Sequence, residues 1–68
     1  KIFSERLKQL RKERGFSQKE MAELLGLKLR AYQYYESGEH EPSLDNLVIV
    51  ADTLRTSIDY LTGRTDHK

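Results

Sequence analysis

The chain has 68 residues, a net charge of +1 and no cysteine, which together allow one domain with a modest core. The lack of cysteine excludes a disulfide scaffold and a thiolate metal site, and it fits a reducing cytoplasm. The longest apolar run, Leu47–Ala51, is far shorter than the roughly 20 residues that span a bilayer, so we expect neither a membrane helix nor a signal peptide.

The charges are segregated along the chain. Residues 1–30 contain nine Lys or Arg and four Glu, whereas residues 31–68 contain three Lys or Arg and seven Asp or Glu. Such an asymmetry predicts a basic face that can meet a phosphate backbone. A solvated surface with charges segregated by chance explains the pattern equally well, so charge alone leaves both interpretations open.

Hydrophobic periodicity and capping residues predict five helices, beginning with one over about 3–13. In this helix Phe3, Leu7 and Leu10 form one apolar stripe. Gly15 suits its C-terminal end because glycine enters left-handed backbone conformations without steric cost.

The second helix is predicted over about 18–25. Ser17 and Glu20 form a capping box at its start, in which each side chain bonds the backbone amide of the other residue. Gly26 ends the helix after only two turns, and a new periodic segment resumes directly behind it.

The third helix is predicted over about 28–36, with Gly38 as its stop signal. Helical spacing places Leu29, Tyr32 and Tyr35 on one face, and we therefore expect the two tyrosines in the core rather than stacked on bases. The other face carries polar and aromatic side chains: Arg30, Gln33, Tyr34 and Ser37.

Two further helices are predicted over about 44–54 and 58–62, with Ser43 and Ser57 as their N-caps. The longer helix has a wide apolar face, and the shorter one is expected to carry Ile58 and Leu61 inward. Residues 1–63 therefore form one domain, and residues 64–68 are predicted to be a flexible tail. The apolar face of the longer helix consists of Leu44, Leu47, Val48, Val50, Ala51 and Leu54.

A two-turn helix, a glycine turn and a second short helix, over about 18–36, form the bihelical unit that fits a DNA major groove. Ala22 is small where the two helices must cross closely, and Gly26 makes the turn. An ordered set of motifs surrounds this unit: Leu7…Leu10-Arg11, Gly15-Phe16-Ser17-Gln18, Ala22, Leu25-Gly26-Leu27, Tyr35-Glu36-Ser37-Gly38, Glu41-Pro42-Ser43 and Ser57-Ile58-Asp59-Tyr60-Leu61.

With these motifs the sequence resembles the phage repressor and Cro class of helix-turn-helix regulators, often called XRE-like, over about residues 3–63. The resemblance implies an all-α fold, a compact five-helix bundle of the lambda-repressor-like DNA-binding type. It also implies sequence-specific binding of double-stranded DNA by a transcriptional regulator, expected to be a repressor, at a phage or prokaryotic operator. The resemblance further implies that the protein binds a palindromic operator as a homodimer. It also implies a cytoplasmic protein that is associated with the nucleoid.

The resemblance places the third helix in the major groove and implies base contacts for Leu29, Arg30 and Tyr34, with Lys28 and Gln33 beside them. Arg30 is the strongest candidate because a guanidinium bonds guanine O6 and N7 together. Gln33 can pair with adenine, although its position more often faces a phosphate. Leu29 lies either at the mouth of the groove or inward, and Tyr34 contacts either a phosphate or a thymine methyl group.

The resemblance also implies contacts to the DNA backbone for some residues and an internal role for others. Gln18 and the first amides of the second helix are expected to hold a phosphate. Arg11 and Glu36 occupy positions that form an internal ion pair in this family, although a DNA contact by Arg11 is the rival interpretation. The general phosphate-contact candidates are Lys8, Lys12, Arg14 and Lys19.

Three positions depart from the family pattern. The loop Glu39-His40-Glu41 is acidic where many relatives are basic, which puts backbone contacts there in doubt. Arg55 stands at a helix end where relatives carry Gly or Asn, so a strained positive φ is expected. Ile49 is apolar at a position that is usually polar, which suggests a subunit contact or an isolated exposed side chain.

No enzyme, cofactor or metal site is expected, because the sequence has no Gly-rich phosphate loop and no paired-histidine metal spacing. His40 and His67 are expected to be solvent-exposed. The main alternative function is a protein-interaction module with the same fold, such as an antitoxin or an anti-regulator. The steep salt dependence of DNA binding distinguishes the two functions.

Overall fold

The computed structural model describes all 68 residues and contains five helices and no strand. The helices are α1 (Ile2–Glu13), α2 (Gln18–Leu25), α3 (Leu29–Ser37), α4 (Leu44–Leu54) and α5 (Ile58–Thr62). The all-α, five-helix prediction is confirmed, with one-residue shifts at the start of α1 and at both ends of α3. None of the five helices has the length and apolar character that a membrane-spanning helix requires.

Local capping determines where several helices begin. The Ser17 hydroxyl accepts a hydrogen bond from the Glu20 amide at 3.0 Å, and the Glu20 carboxylate accepts one from the Ser17 amide at 2.8 Å. The Ser43 and Ser57 hydroxyls likewise accept hydrogen bonds from the backbone amides of Asn46 and Tyr60, without the reciprocal bond. Because the first amides of a helix have no partner within it, each cap removes one unpaired donor.

The core lies where the inner faces of all five helices meet. Helix α1 packs against α3 and α5, while α2 packs against α3 and α4. The bihelical unit formed by α2 and α3 is therefore packed against α1 and α4. Leu7, Tyr32 and Leu61 are completely buried. The other core side chains are Leu10, Met21, Ala22, Leu25, Tyr35, Val50, Ala51, Leu54 and Tyr60.

The predicted apolar face of α4 is too wide, and the predicted inward position of Ile58 is wrong. Leu44 is 74% exposed, Val48 42% and Ile58 36%. Only α2 and α5 pack closely on α4, and these neighbours cover a narrower stripe than the periodicity implies. Ile49 is exposed as well, so the α4–α5 side of the bundle carries several uncovered apolar side chains.

Arg55 ends α4 in the left-handed region, with φ 53° and ψ 51°, as its position predicts. It is the one non-glycine residue with positive φ. A side chain with a Cβ is strained in this conformation, so Arg55 is a local cost to stability.

Residues 64–68 lie outside the helices but contact α1. The Arg6 guanidinium donates hydrogen bonds to the Thr65 carbonyl at 2.6 Å and to the Asp66 carboxylate at 2.9 Å. The Lys68 ammonium group lies 2.6 Å from the Glu13 carboxylate. The flexibility of this tail stays a prediction, and these contacts are the ones that oppose it.

Candidate nucleic-acid interface

Helices α2 and α3 meet at a tight turn. Gly26 adopts a left-handed conformation with φ 69°, and the Leu27 amide behind it bonds the Ala22 carbonyl at 2.8 Å. Ala22 is only 2% exposed, because its small side chain lies within the packed core. The turn and the small residue fix the two helices as one rigid unit, the geometry that the sequence predicts for about 18–36.

The outer face of α3 is uncovered. Lys28, Arg30 and Gln33 are exposed, and Leu29 is 42% exposed. The alternative in which Leu29 packs inward is wrong, because Leu29 is the first residue of α3 and precedes the part of the helix that Tyr32 anchors in the core. No other segment of the 68 residues covers this face, so it is open to a partner.

Arg30 and Tyr34 are neighbours on this face. The nearby Tyr34 hydroxyl raises the pKa of the Arg30 guanidinium above its usual value, so Arg30 is positively charged at neutral pH. Tyr34 is half-buried, and its ring centroid lies 4.6 Å from that of His40. The loop after α3 therefore supports Tyr34 from one side, and Arg30 stays exposed beside the Tyr34 hydroxyl.

The inner face of α3 carries the other two tyrosines. Tyr32 is completely buried and Tyr35 is 8% exposed, with their rings edge to face at 6.3 Å between centroids. The Tyr35 hydroxyl accepts a hydrogen bond from the side-chain Nδ2 of Asn46 at 3.0 Å. Both tyrosines are core residues, as the helical spacing predicts.

A buried ion pair joins α1 to α3. The Glu36 carboxylate accepts hydrogen bonds from Arg11 Nε and from the Tyr32 hydroxyl, both at 2.5 Å. The Arg11 and Glu36 side chains are only 10% and 4% exposed. Arg11 Nη1 also donates to the Phe16 carbonyl at 2.9 Å. Since all three Arg11 nitrogen atoms have acceptors within the chain, the structure gives no support to a DNA contact by Arg11.

The partners of Glu36 keep it ionised. Burial raises the pKa of this carboxyl, but hydrogen bonds from Arg11, Tyr32 and Gln18 outweigh burial and hold the pKa below its usual value. Burial and the adjacent carboxylate raise the pKa of the Tyr32 hydroxyl. At neutral pH the cluster therefore contains a charged Glu36 and a neutral Tyr32 hydroxyl that donates a hydrogen bond to it.

Gln18, the first residue of α2, connects this cluster to the surface. Its Nε2 donates to Glu36 Oε1 at 3.1 Å, and its Oε1 accepts from Gln33 Nε2 at 3.1 Å. The sequence places Gln18 and Gln33 on separate helices, and helical spacing contains no signal for their contact. Beside Gln18, the exposed Lys19 adds a positive charge at the N-terminal end of α2.

The remaining phosphate-contact candidates are distributed unevenly. Lys8 and Lys12 are exposed and continue the i, i+4 row that begins at Ser4, on the edge of α1 that borders Gly38 behind α3. Arg14 is directed elsewhere, because its Nε donates to the Leu54 carbonyl at 2.8 Å, at the end of α4. Lys8 and Lys12 are thus left exposed on α1, whereas the Arg14 guanidinium is bonded to the end of α4.

No group of three or more metal-ligating side chains occurs in the structure, and His40 and His67 are exposed. Five packed helices with an uncovered third helix behind a glycine turn define a helix-turn-helix domain of the repressor type. The helix-turn-helix family matches residues 7–61, and the chain belongs to this family. The family resemblance that the sequence motifs predict is confirmed.

Two relatives illustrate the similarity. The chain is 48% identical over 62 residues to the cryptic phage CTXphi transcriptional repressor RstR of Vibrio cholerae, covering 91% of this chain and 55% of RstR. It is 42% identical over 68 residues to the HTH-type transcriptional regulator YqaE of Bacillus subtilis, covering 98% of this chain and 59% of YqaE. The chain therefore spans little more than half the length of these two relatives.

Solved structures agree with the fold. The P22 c2 repressor in complex with a synthetic operator superposes with a TM-score of 0.83 at 30% identity, covering 90% of this chain and 92% of the repressor. The restriction-modification controller protein C.AhdI of Aeromonas hydrophila superposes with a TM-score of 0.79 at 33% identity, covering 88% and 91% of the two chains. The predicted lambda-repressor-like bundle is confirmed.

Proposed function

We propose that this chain is the DNA-binding domain of a transcriptional regulator that recognises an operator in double-stranded DNA, most simply as a repressor. The observation that carries the proposal is the uncovered outer face of α3, which carries the charged Arg30 and adjoins the N-terminal end of α2 through the contact between Gln33 and Gln18. An α-helix of this kind fits the major groove, and the positive end of α2 favours a phosphate. Similarity to a repressor solved with its operator supports the same function.

The base-reading face consists of Arg30, Gln33 and Leu29, with Lys28 and Tyr34 at its ends. Gln18 and Lys19 contact one phosphate at the start of α2, and Lys8 and Lys12 contribute positive charge from α1. Occupancy of the operator blocks or recruits RNA polymerase. A regulator of this kind works in the cytoplasm, where it reaches the DNA of the nucleoid.

Two copies bind a palindromic operator in this proposal. The exposed apolar side chains Leu44, Val48 and Ile49 on α4, together with Ile58 on α5, support a contact between copies. A dimer with two-fold symmetry places its two α3 helices about 34–36 Å apart, one turn of the double helix. Footprints on two half-sites at this spacing are the expected result.

Selection of bound fragments from a random DNA pool, followed by titration at several salt concentrations, tests the proposal. We expect a consensus sequence and a linear fall of log affinity with log salt, because released counterions dominate the salt dependence. Lys19→Ala should flatten the slope, whereas Arg64→Ala, which removes an equal charge from the tail, should not. A chain that retains no DNA at low salt contradicts the proposal and favours the protein-interaction module.

A further inference from the structure

The buried Glu36 carboxylate determines which way the Gln18 amide faces. An ionised carboxylate has no hydrogen to donate, so only the NH2 group of Gln18 can face Glu36 Oε1 across their 3.1 Å contact. The Gln18 carbonyl oxygen must then point away from Glu36. The Glu36 side chain is only 4% exposed, and its other bonds come from Arg11 Nε, Arg11 Nη2 and the Tyr32 hydroxyl, so every group that contacts this carboxylate is a donor.

The orientation of the Gln18 amide in turn determines the orientation of the Gln33 amide. The outward carbonyl oxygen of Gln18 accepts a hydrogen bond, so the group of Gln33 that faces it at 3.1 Å must be the NH2 group. The carbonyl oxygen and the second N–H of Gln33 remain directed to the exposed side, where no other residue bonds them. Gln33 therefore presents one acceptor and one donor side by side at the outer face of α3.

This pair of groups matches one base in the major groove. A phosphate offers only acceptors and leaves the Gln33 oxygen without a partner, and the major-groove edge of guanine likewise offers only acceptors. Adenine offers the N6 donor and the N7 acceptor together. We propose that Gln33 reads an adenine and that Glu36, acting through Gln18, is the positioning residue that fixes its orientation. This inference rests on the proposed function, because it requires an operator bound to α3.

The test compares base preference rather than affinity alone. With the operator selected by the unmodified chain, each adenine is replaced in turn by 7-deazaadenine, which lacks the N7 acceptor, and each A·T pair by G·C. At one adenine of each half-site we expect the G·C change to lower the affinity roughly 5- to 150-fold, the range of a bidentate contact. The deaza substitution should lower it at the same position.

Three variants separate the explanations. Gln33→Ala should bind the A·T and G·C operators equally at that position. Gln18→Met should lose most of the preference although Gln33 is intact, while Lys19→Met, the matched control at the next residue, should weaken all operators alike and keep the preference. Thermal melting checks that each variant is folded. If Gln18→Met is unstable, the base preference of Gln33→Ala still tests the adenine contact.

Each outcome decides between the proposals. If Gln33→Ala weakens every operator alike, Gln33 contacts a phosphate and the adenine assignment is wrong. If Gln18→Met leaves the preference unchanged, Glu36 does not position Gln33. A wild-type chain that binds no DNA overturns the proposed function as well, whereas DNA binding with an unaltered preference overturns only this inference.

Discussion

The Arg11 guanidinium lies 2.5 Å from the Glu36 carboxylate, and the pair joins the last turn of α1 to the last turn of α3. The same carboxylate accepts a hydrogen bond from Gln18 at the surface. One buried charge therefore links the stability of the core to the orientation of side chains on the proposed DNA-binding face.

Removing Arg11 alone should be strongly destabilising. Arg11→Met leaves the Glu36 carboxylate buried with only neutral partners, and breaking such a pair typically costs about 3–5 kcal/mol. The free energy of unfolding, measured by urea denaturation with circular dichroism, should fall by an amount in this range. Because a small domain has little stability to lose, a partly unfolded variant at 25 °C is consistent with this expectation.

The double variant Arg11→Met/Glu36→Leu is the control for that measurement. It removes both charges together, so no uncompensated carboxylate is left, and the remaining cost is that of the buried Tyr32 hydroxyl, which loses its acceptor. Its unfolding free energy should lie well above that of Arg11→Met. If the double variant is as unstable as the single one, loss of packing and not loss of charge balance explains the effect.

The lowered pKa of Glu36 predicts loss of stability in acid. The folded state holds this pKa below the ordinary value of 4.5, so the carboxylate stabilises the fold above pH 4.5. That contribution disappears progressively as the pH falls from about 4.5 through the lower pKa of the folded state. Thermal melting from pH 7 to pH 2 should show the decline, and in Glu36→Gln the same decline should be smaller.

The helix boundaries could be predicted because their causes are local. Ser17, Ser43 and Ser57 cap the helices that follow them, and Gly26 ends α2 through its own backbone conformation. Each signal depends on residues within one turn, so it is visible in the sequence.

The exposure of Leu44 and Val48 on α4 and of Ile58 on α5 could not be predicted, because it depends on which helices pack against each helix and not on that helix's own periodicity. The contact between Gln18 and Gln33 was missed for a related reason. Periodicity gives the face of each helix on which a residue lies, but the 3.1 Å contact between the side chains depends on how α2 and α3 cross.

Arg55→Gly should stabilise the domain. Arg55 has φ 53° and ψ 51°, a conformation that costs a residue with a Cβ roughly 1–2 kcal/mol. Glycine removes that strain, but its more flexible unfolded chain offsets part of the gain, which leaves about 0.5–1 kcal/mol. Arg55→Ala is the control, because it removes the same side chain and keeps the strain. Urea unfolding should therefore separate the two variants, and equal stability of both would argue against backbone strain.

Arg6→Leu should release the tail. The Arg6 guanidinium donates to the Tyr60 and Thr65 carbonyls and lies 4.2 Å from the centroid of the Tyr60 ring, so one side chain holds the tail against α1 and α5. Losing these contacts should cost about 1–2 kcal/mol and increase the mobility of residues 64–68.

Amide hydrogen exchange and backbone NMR relaxation of the tail measure that release. Arg64→Leu is the matched control, because its salt bridge to Asp59 is exposed and should contribute little. If the tail of the unmodified chain already exchanges as fast as that of Arg6→Leu, the tail is flexible, as the sequence predicts, and the contacts do not persist in solution.

Arg30→Ala and Lys12→Ala should change DNA binding in different ways. Arg30 is exposed on the outer face of α3, where a guanidinium can bond guanine O6 and N7, so its loss should cost about 1–3 kcal/mol and relax the preference at one base pair. Lys12 is exposed on α1, and its loss should weaken all sequences alike because a phosphate contact carries no base information. Competition binding against operators with single base changes measures both effects. If both variants lose affinity while the preference stays the same, α3 is not placed in the groove with Arg30 toward the bases.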